Sequence, residues 1–239
     1  MFHYLFDNRY VPLTLELGFL ECSVETAAAN YLDWQSKIQS ERGVTLSSEK
    51  KVGALDSLFE MLLPLTTIES RRFLFVPTQT KWTAFFENKS MGGDPASAVS
   101  FLAEKIGCRG VRAAVHPERD GKQKAHAASP PVGVLLELYA PQPVEILNTE
   151  RSIYAVKDGE KWTFGAHGKQ QDFEDTTAYK ARKIIDRFTP DLLCTYLKHL
   201  GISAFDENFY LSTDENPAVL IEKHGSIAIG LKELALSEV

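Results

Sequence analysis

The residues able to do chemistry are spread widely along this chain, and their spacing is the first test of each. Asp94 follows Gly92 and Gly93 and precedes Pro95. A glycine turn entering a helix can aim backbone amides at an anion. The spacing is neither G-x-G-x-x-G nor the Walker pattern, and the Asp94 carboxylate would repel phosphate. Asp94 then reads as an N-cap, with Pro95 at the first helical position. His116, Glu118, Asp120 and His126 are metal-ligand types in one stretch. They lack the tight spacing of a zinc site, so no metal is expected. Cys22, Cys108 and Cys194 are odd in number, far apart in sequence and set among apolar neighbours. They read as reduced, buried thiols in a reducing compartment. No G-x-S-x-G elbow and no family-type cysteine signature occurs. No catalytic residue and no cofactor is therefore assigned.

Three groups of side chains remain as candidate surfaces. Asp172, Glu174, Asp175, Asp206, Glu207, Asp214 and Glu215 lie among turn-forming residues. Exposed there, they would steer a basic protein partner. Trp82, Glu87, Gly92, Gly93, Asp94 and His116 would line a pocket beside a sheet, if the fold brings them together. Arg109, Arg112, Arg119, Lys122 and Lys124 form the best basic patch and are the residues a nucleic acid would meet. Aromatic side chains do not interleave with that patch, as they do in single-strand binders. A formal net charge of -6 also disfavours phosphate backbones, so nucleic acid is the weaker partner class.

The elements that must position these residues alternate between the two periodicities. After a strand-like run at 15–20, Ser23 caps a helix with Val24, Ala27, Ala28, Tyr31, Leu32, Trp34 and Ile38 on one stripe. Leu55, Leu58, Phe59, Leu62 and Leu63 make a second helix, ended by Pro64. Strands follow at 72–76 and 81–87, then a helix at 95–106, then strands at 110–115 and 132–139. The polar segment 117–130 between the last two reads as a long exposed loop. Asp158-Gly159 marks a hairpin across 152–164. Helices are expected around Ala178–Phe188 and from Pro190, and strands at 208–212 and 218–222.

Two hairpins share Lys-Trp-Thr, at 81–83 and 161–163. This raises an internal duplication of two β-β-α-β-β halves, the second with an extra helix. The predicted class is α+β: a largely antiparallel sheet with helices packed on one side. Residues 1–70 would pack on a first unit at 71–140 and a second at 151–229, within one compact globule. At 239 residues, with 44% hydrophobic residues, the chain can bury a core without disulfides or metals. No apolar run approaches the ~20 residues of a membrane helix, and the opening MFHYLFDNRYVPL lacks the pattern of a secretory leader. The functional expectation is a non-enzymatic cytoplasmic protein that binds another protein. Bacterial immunity proteins, which dock on a toxin, share these general properties as a class. A small-ligand binder or enzyme with a pocket beside the sheet is the second expectation. Oligomeric state is left open.

Overall fold

The structure is a computed structural model that describes residues 5–117 and 132–239. Strands β1 (Glu16–Leu20), β2 (Val44–Lys51), β3 (Leu65–Thr66), β4 (Arg72–Pro77) and β5 (Thr83–Glu87) occupy the first part, with helices α1 (Val24–Ser40) and α2 (Leu55–Glu60). Helix α3 (Pro95–Ile106), strands β6 (Gly110–His116) and β7 (Val132–Tyr139) and a single turn α4 (Glu145–Asn148) follow. Strands β8 (Thr149–Asp158) and β9 (Lys161–Gly168), helix α5 (Pro190–His199) and strands β10 (Ala218–Gly225) and β11 (Glu233–Leu234) complete the order.

Nine strands form one sheet in the order β2-β10-β4-β5-β1-β6-β7-β8-β9. Every pairing in it is antiparallel. The α+β class and the antiparallel sheet are as expected. The helices, however, cover both faces rather than one. The strands require this, because they carry apolar residues on alternate positions of both faces. Phe73, Phe75, Phe85, Val219 and Ile221 pack under α1 and α3. Leu74, Val76, Trp82, Ala84, Phe86 and Leu220 face α2 and α5. Helix α3 lies close on the sheet because Gly18 and Gly110 offer no side chain there. A Cβ at Gly18 would fall 2.8 Å from Val99, and one at Gly110 would fall 2.7 Å from the same residue.

Strand β1 sits at the sheet's centre, between β5 and β6. The two hairpins take unlike places. β4–β5 is central, whereas β8–β9 ends the sheet, and β10 returns to pair with β4 and β2 at the far side. The pairing in the two halves is thus not equivalent.

Three local expectations change. Ala178–Phe188 forms two short 3-10 turns, Ala178–Lys180 and Ile184–Asp186, not a helix. Local side-chain hydrogen bonds compete with the apolar spacing. Tyr179 donates to Glu174 Oε2, and Arg187 Nε donates to the Ala181 carbonyl. Residues 208–212 form no strand. Asp206 accepts from the Asn208 amide and holds a 3-10 turn, leaving single bridges at Tyr210 and Ser212. Val44–Lys51, which has no clear strand signal, is the edge strand β2. Its mostly exposed pattern is what a polar sheet edge allows.

Candidate functional site: a charged row across the sheet

On the α1/α3 face, a row of ionisable side chains crosses the strands at one end. It runs from Lys223 on β10, past Glu87 on β5, to Glu16 on β1, Arg112 and His116 on β6, and Glu137 on β7. Arg112 is its hub. Its guanidinium donates to Glu16 Oε2 (Nε 2.8 Å, Nη2 2.6 Å) and to Glu137 Oε2 (3.0 Å). Asp94 Oδ1 lies 3.6 Å from Nη2. His116 Nε2 meets Glu16 Oε1 at 3.1 Å, and Tyr139 donates to Glu137 at 2.7 Å. The Glu16 side chain is only 5% exposed, so it depends on these partners. Burial works against its ionisation. The hydrogen bond to His116 and the charge of Arg112 outweigh burial and hold the carboxyl below the usual glutamate range. Burial and the neighbouring Glu137 carboxylate together push the Tyr139 phenol well up.

Beside this row, a cleft of about 260 Å³ opens between α1, α3 and the sheet. Tyr31, Trp34, Phe73 and Phe85 supply aromatic walls, and Ser70, Glu87, Lys89, Asp94 and Lys223 supply polar groups. Glu87 Oε1 accepts from the Asp94 amide at 2.6 Å. Burial nevertheless raises its pKa, although hydrogen bonds from Ser70 and Asp94 act the other way. Burial lowers the pKa of Lys223, whose ammonium stands 5.1 Å over the Phe73 ring. Burial disfavours the charged form of both groups, pushing the Glu87 carboxyl up and the Lys223 amine down, although Glu69 lies 4.0 Å from the Lys223 ammonium.

Glycine at 93 is required by this geometry. A Cβ there would meet Glu87 Cγ at 2.8 Å. Gly93→Ala is therefore expected to displace the Glu87 carboxyl from the cleft while the fold persists. Carboxyl NMR titration would show the Glu87 pKa moving down toward the ordinary glutamate value, and an unchanged raised value would refute the role of Gly93. Glu87 also has a stability signature. A carboxyl with a raised folded pKa contributes stability below its unfolded pKa and loses it as pH rises through the folded value. Wild-type stability is then expected to decline with pH just above the ordinary glutamate range, and Glu87→Gln should flatten that decline in urea melts recorded across it.

Of the pocket residues expected from sequence, Glu87, Gly93, Asp94 and His116 meet along this row, and Gly92 leads into it. Asp94 does not cap α3, since its side chain makes no capping bond; Arg112 draws the carboxylate instead. Trp82 lies elsewhere. It is buried on the opposite face, with Nε1 donating to the Leu200 carbonyl at 2.8 Å and Arg109 over its ring. Glu16, Glu137, Tyr31, Ser70 and Lys223 were not singled out in the sequence. A signal for two of them exists, because Glu16 and Glu137 interrupt apolar strand runs at positions whose neighbours face the core.

The basic group separates. Arg112 is committed to carboxylates, and Arg109 pairs with Glu21 at the other end of β6. Arg119, Lys122 and Lys124 lie outside the described residues, as do Glu118, Asp120 and His126 of the metal-ligand stretch. The acidic group divides as well. Glu174, expected at the surface, has a side chain with no exposure and is locked to Arg151. It resides there because Arg151, on β8, needs a carboxylate where it turns inward. Asp175 caps the Thr177 and Ala178 amides, and Asp206 the Asn208 amide, from exposed positions. Asp172, Glu207, Asp214 and Glu215 are exposed. Among the described residues no helix is long and apolar enough to cross a membrane.

A second, larger cleft of about 650 Å³ lies at the opposite end of the sheet, lined by Glu21, Cys22, Lys81, Trp82, Cys108 and Arg109 among others. Compared with known proteins, the chain matches no protein-family model, no curated protein and no solved structure.

Proposed function

We propose that this protein binds a small organic ligand in the cleft beside Glu87, with an apolar body against Tyr31, Trp34 and Phe73 and a polar end at Glu87 and Lys223. The observation that carries this reading is the convergence of two oppositely shifted groups, Glu87 and Lys223, in one aromatic-walled concavity. In its protonated form Glu87 donates a hydrogen bond to an acceptor on the ligand. In its ionised form it takes a proton. The buried row behind it (Arg112, Glu16, Glu137) holds α3 and Asp94 in register with the cleft. A cytoplasmic setting, in which the three free thiols stay reduced, accords with this role.

A fragment screen followed by backbone NMR tests it. Hits should shift resonances at 31–35, 70–73, 87–98 and 223, and Glu87→Gln or Lys223→Met should weaken them about tenfold or more. Hits confined to other surfaces, or unaffected by both substitutions, would overturn it.

The second reading is docking of a protein partner of the toxin-immunity kind. Leu211, 49% exposed, favours it. This leucine lines a concavity with Asp56 and Glu207, an apolar anchor with acidic neighbours of the sort a basic partner engages. Charge reversal at Glu207, Asp214 and Glu215 should slow association with such a partner and reduce its salt dependence.

A further inference from the structure

The larger cleft brings together two thiols that the sequence keeps far apart. Cys22 follows β1 and Cys108 precedes β6. The β1–β6 ladder continues beyond its last register pair, Leu20 with Gly110, because the Glu21 amide donates to the Arg109 carbonyl at 2.9 Å. Just past it the chain turns, with the Cys22 amide donating to the Leu20 carbonyl at 2.9 Å and the Cys108 amide to the Ala103 carbonyl at 3.0 Å. The Cys22 and Cys108 side chains meet there, each perturbing the other's ionisation. Both residues are partly exposed to the cleft. Lys81 and Arg109, each ion-paired with Glu21, also line it and offer positive charge to a carboxylate-bearing reagent.

We propose that Cys22 and Cys108 form a thiol-modification site that reacts with low-molecular-weight disulfides of the glutathione type and closes into a reversible intramolecular disulfide. Cys108 is the attacking group. The interaction with Cys22 lowers its pKa, while the same interaction and burial raise that of Cys22. The Cys108 thiolate attacks one sulfur of the reagent disulfide. The reagent S–S bond breaks, a mixed disulfide forms on Cys108, and the first small thiolate leaves and takes up the proton that Cys108 had released. Cys22 then gives up its proton and attacks the Cys108 sulfur. The second small thiolate leaves with that proton. Two protein thiols are oxidised, and one small disulfide is reduced to two thiols.

Cys194 provides an internal control. It lies on α5 away from the pair, and burial pushes its thiol up to about 11. The test treats the full chain with excess oxidised glutathione, blocks remaining thiols with iodoacetamide and maps them by peptide mass spectrometry. The expected wild-type product links the Cys22 and Cys108 peptides, leaves Cys194 alkylated and reverts with dithiothreitol. Cys22→Ser should stop at the mixed disulfide on Cys108. That adduct should form about tenfold faster than any on Cys194. Cys108→Ser should react at Cys22 about tenfold more slowly than Cys22→Ser does at Cys108. Wild-type protein with both thiols alkylated, or with glutathione on Cys194 alone, would overturn the proposal. If either variant fails to fold, the wild-type product decides alone.

Discussion

Replacing Glu174 with alanine is expected to lower the unfolding free energy by about 3–5 kcal/mol, the cost of leaving one member of a buried ion pair without its partner. The Arg151 side chain is 5% exposed and the Glu174 side chain is not exposed at all. Arg151 donates through Nε at 2.9 Å and through Nη2 at 2.5 Å, one bond to each carboxylate oxygen. The same carboxylate accepts from Tyr179 at 2.9 Å and from the Gln171 amide at 2.8 Å. Alanine removes all four bonds and strands a guanidinium beneath the 169–180 segment. Two positions earlier, Asp172→Ala should leave the urea midpoint where it is, because Asp172 is exposed. Comparing the two variants by urea unfolding separates a structural carboxylate from a surface one within a single acidic run. A Glu174→Ala loss below about 1 kcal/mol would show that the pair is solvated in solution.

The second large effect is expected at Arg112. Arg112→Met should lower stability near neutral pH by about 3 kcal/mol or more, because Glu16 and Glu137 then face each other on a covered sheet face without the cation between them. The pH dependence identifies the cause. In the wild type, Glu16 has a lowered pKa, so its contribution is present above the ordinary glutamate value of about 4.3 and is lost as pH falls through the lower, folded value. In the variant, burial dominates and raises the carboxyl pKa, so acid stabilises the folded state. The gap between the two proteins should therefore narrow as the pH falls from 7 to about 4. A gap that stays constant would mean that Arg112 acts through packing of its stem rather than through charge. Lysine at 112 should recover only part of the loss, since one ammonium cannot bridge two carboxylates as the guanidinium does.

Both effects bear on what the charged row does. A buried ionic cluster is a poor source of net stability, and apolar residues of similar volume would serve a plain core as well. Here the cluster ties the start of α3 to three strands and places Asp94 against Glu87. Through Asp94, which lines the cleft, it reaches the edge of that concavity. The thiol pair lies at the other end of the sheet, so the proposed oxidation there and the proposed ligand binding at Glu87 can be measured independently.

Much of the local structure was legible in the residues themselves. Ser23 and Thr189 cap α1 and α5 through their side chains, as their positions imply. Trp82, Ala84 and Phe86 pack on one side of the sheet and Phe85 on the other, as the strand expected at 81–87 requires by its alternation. Capping and alternation are local rules that act over a few residues, so one chain displays them. The segments that misled were those in which side-chain bonds compete with the helical pattern: Tyr179 and Arg187, whose bonds to Glu174 and the Ala181 carbonyl accompany 3-10 turns in place of a helix, and Asp94, drawn from its cap toward Arg112. Side-chain partnership across the sheet is a matter of register between strands far apart in sequence, and no spacing encodes it. Glu16 meets His116, Lys223 shares a cleft with Glu87 and Cys22 touches Cys108 only because β1 inserts between β5 and β6 and β10 returns beside β4. The sequence by itself determined most of the element types, the antiparallel α+β class and an ordinary globular core. The tertiary structure alone decided which charges are buried, which are paired and which pKa values move, because desolvation and Coulombic contact depend on distances that only the assembled sheet creates.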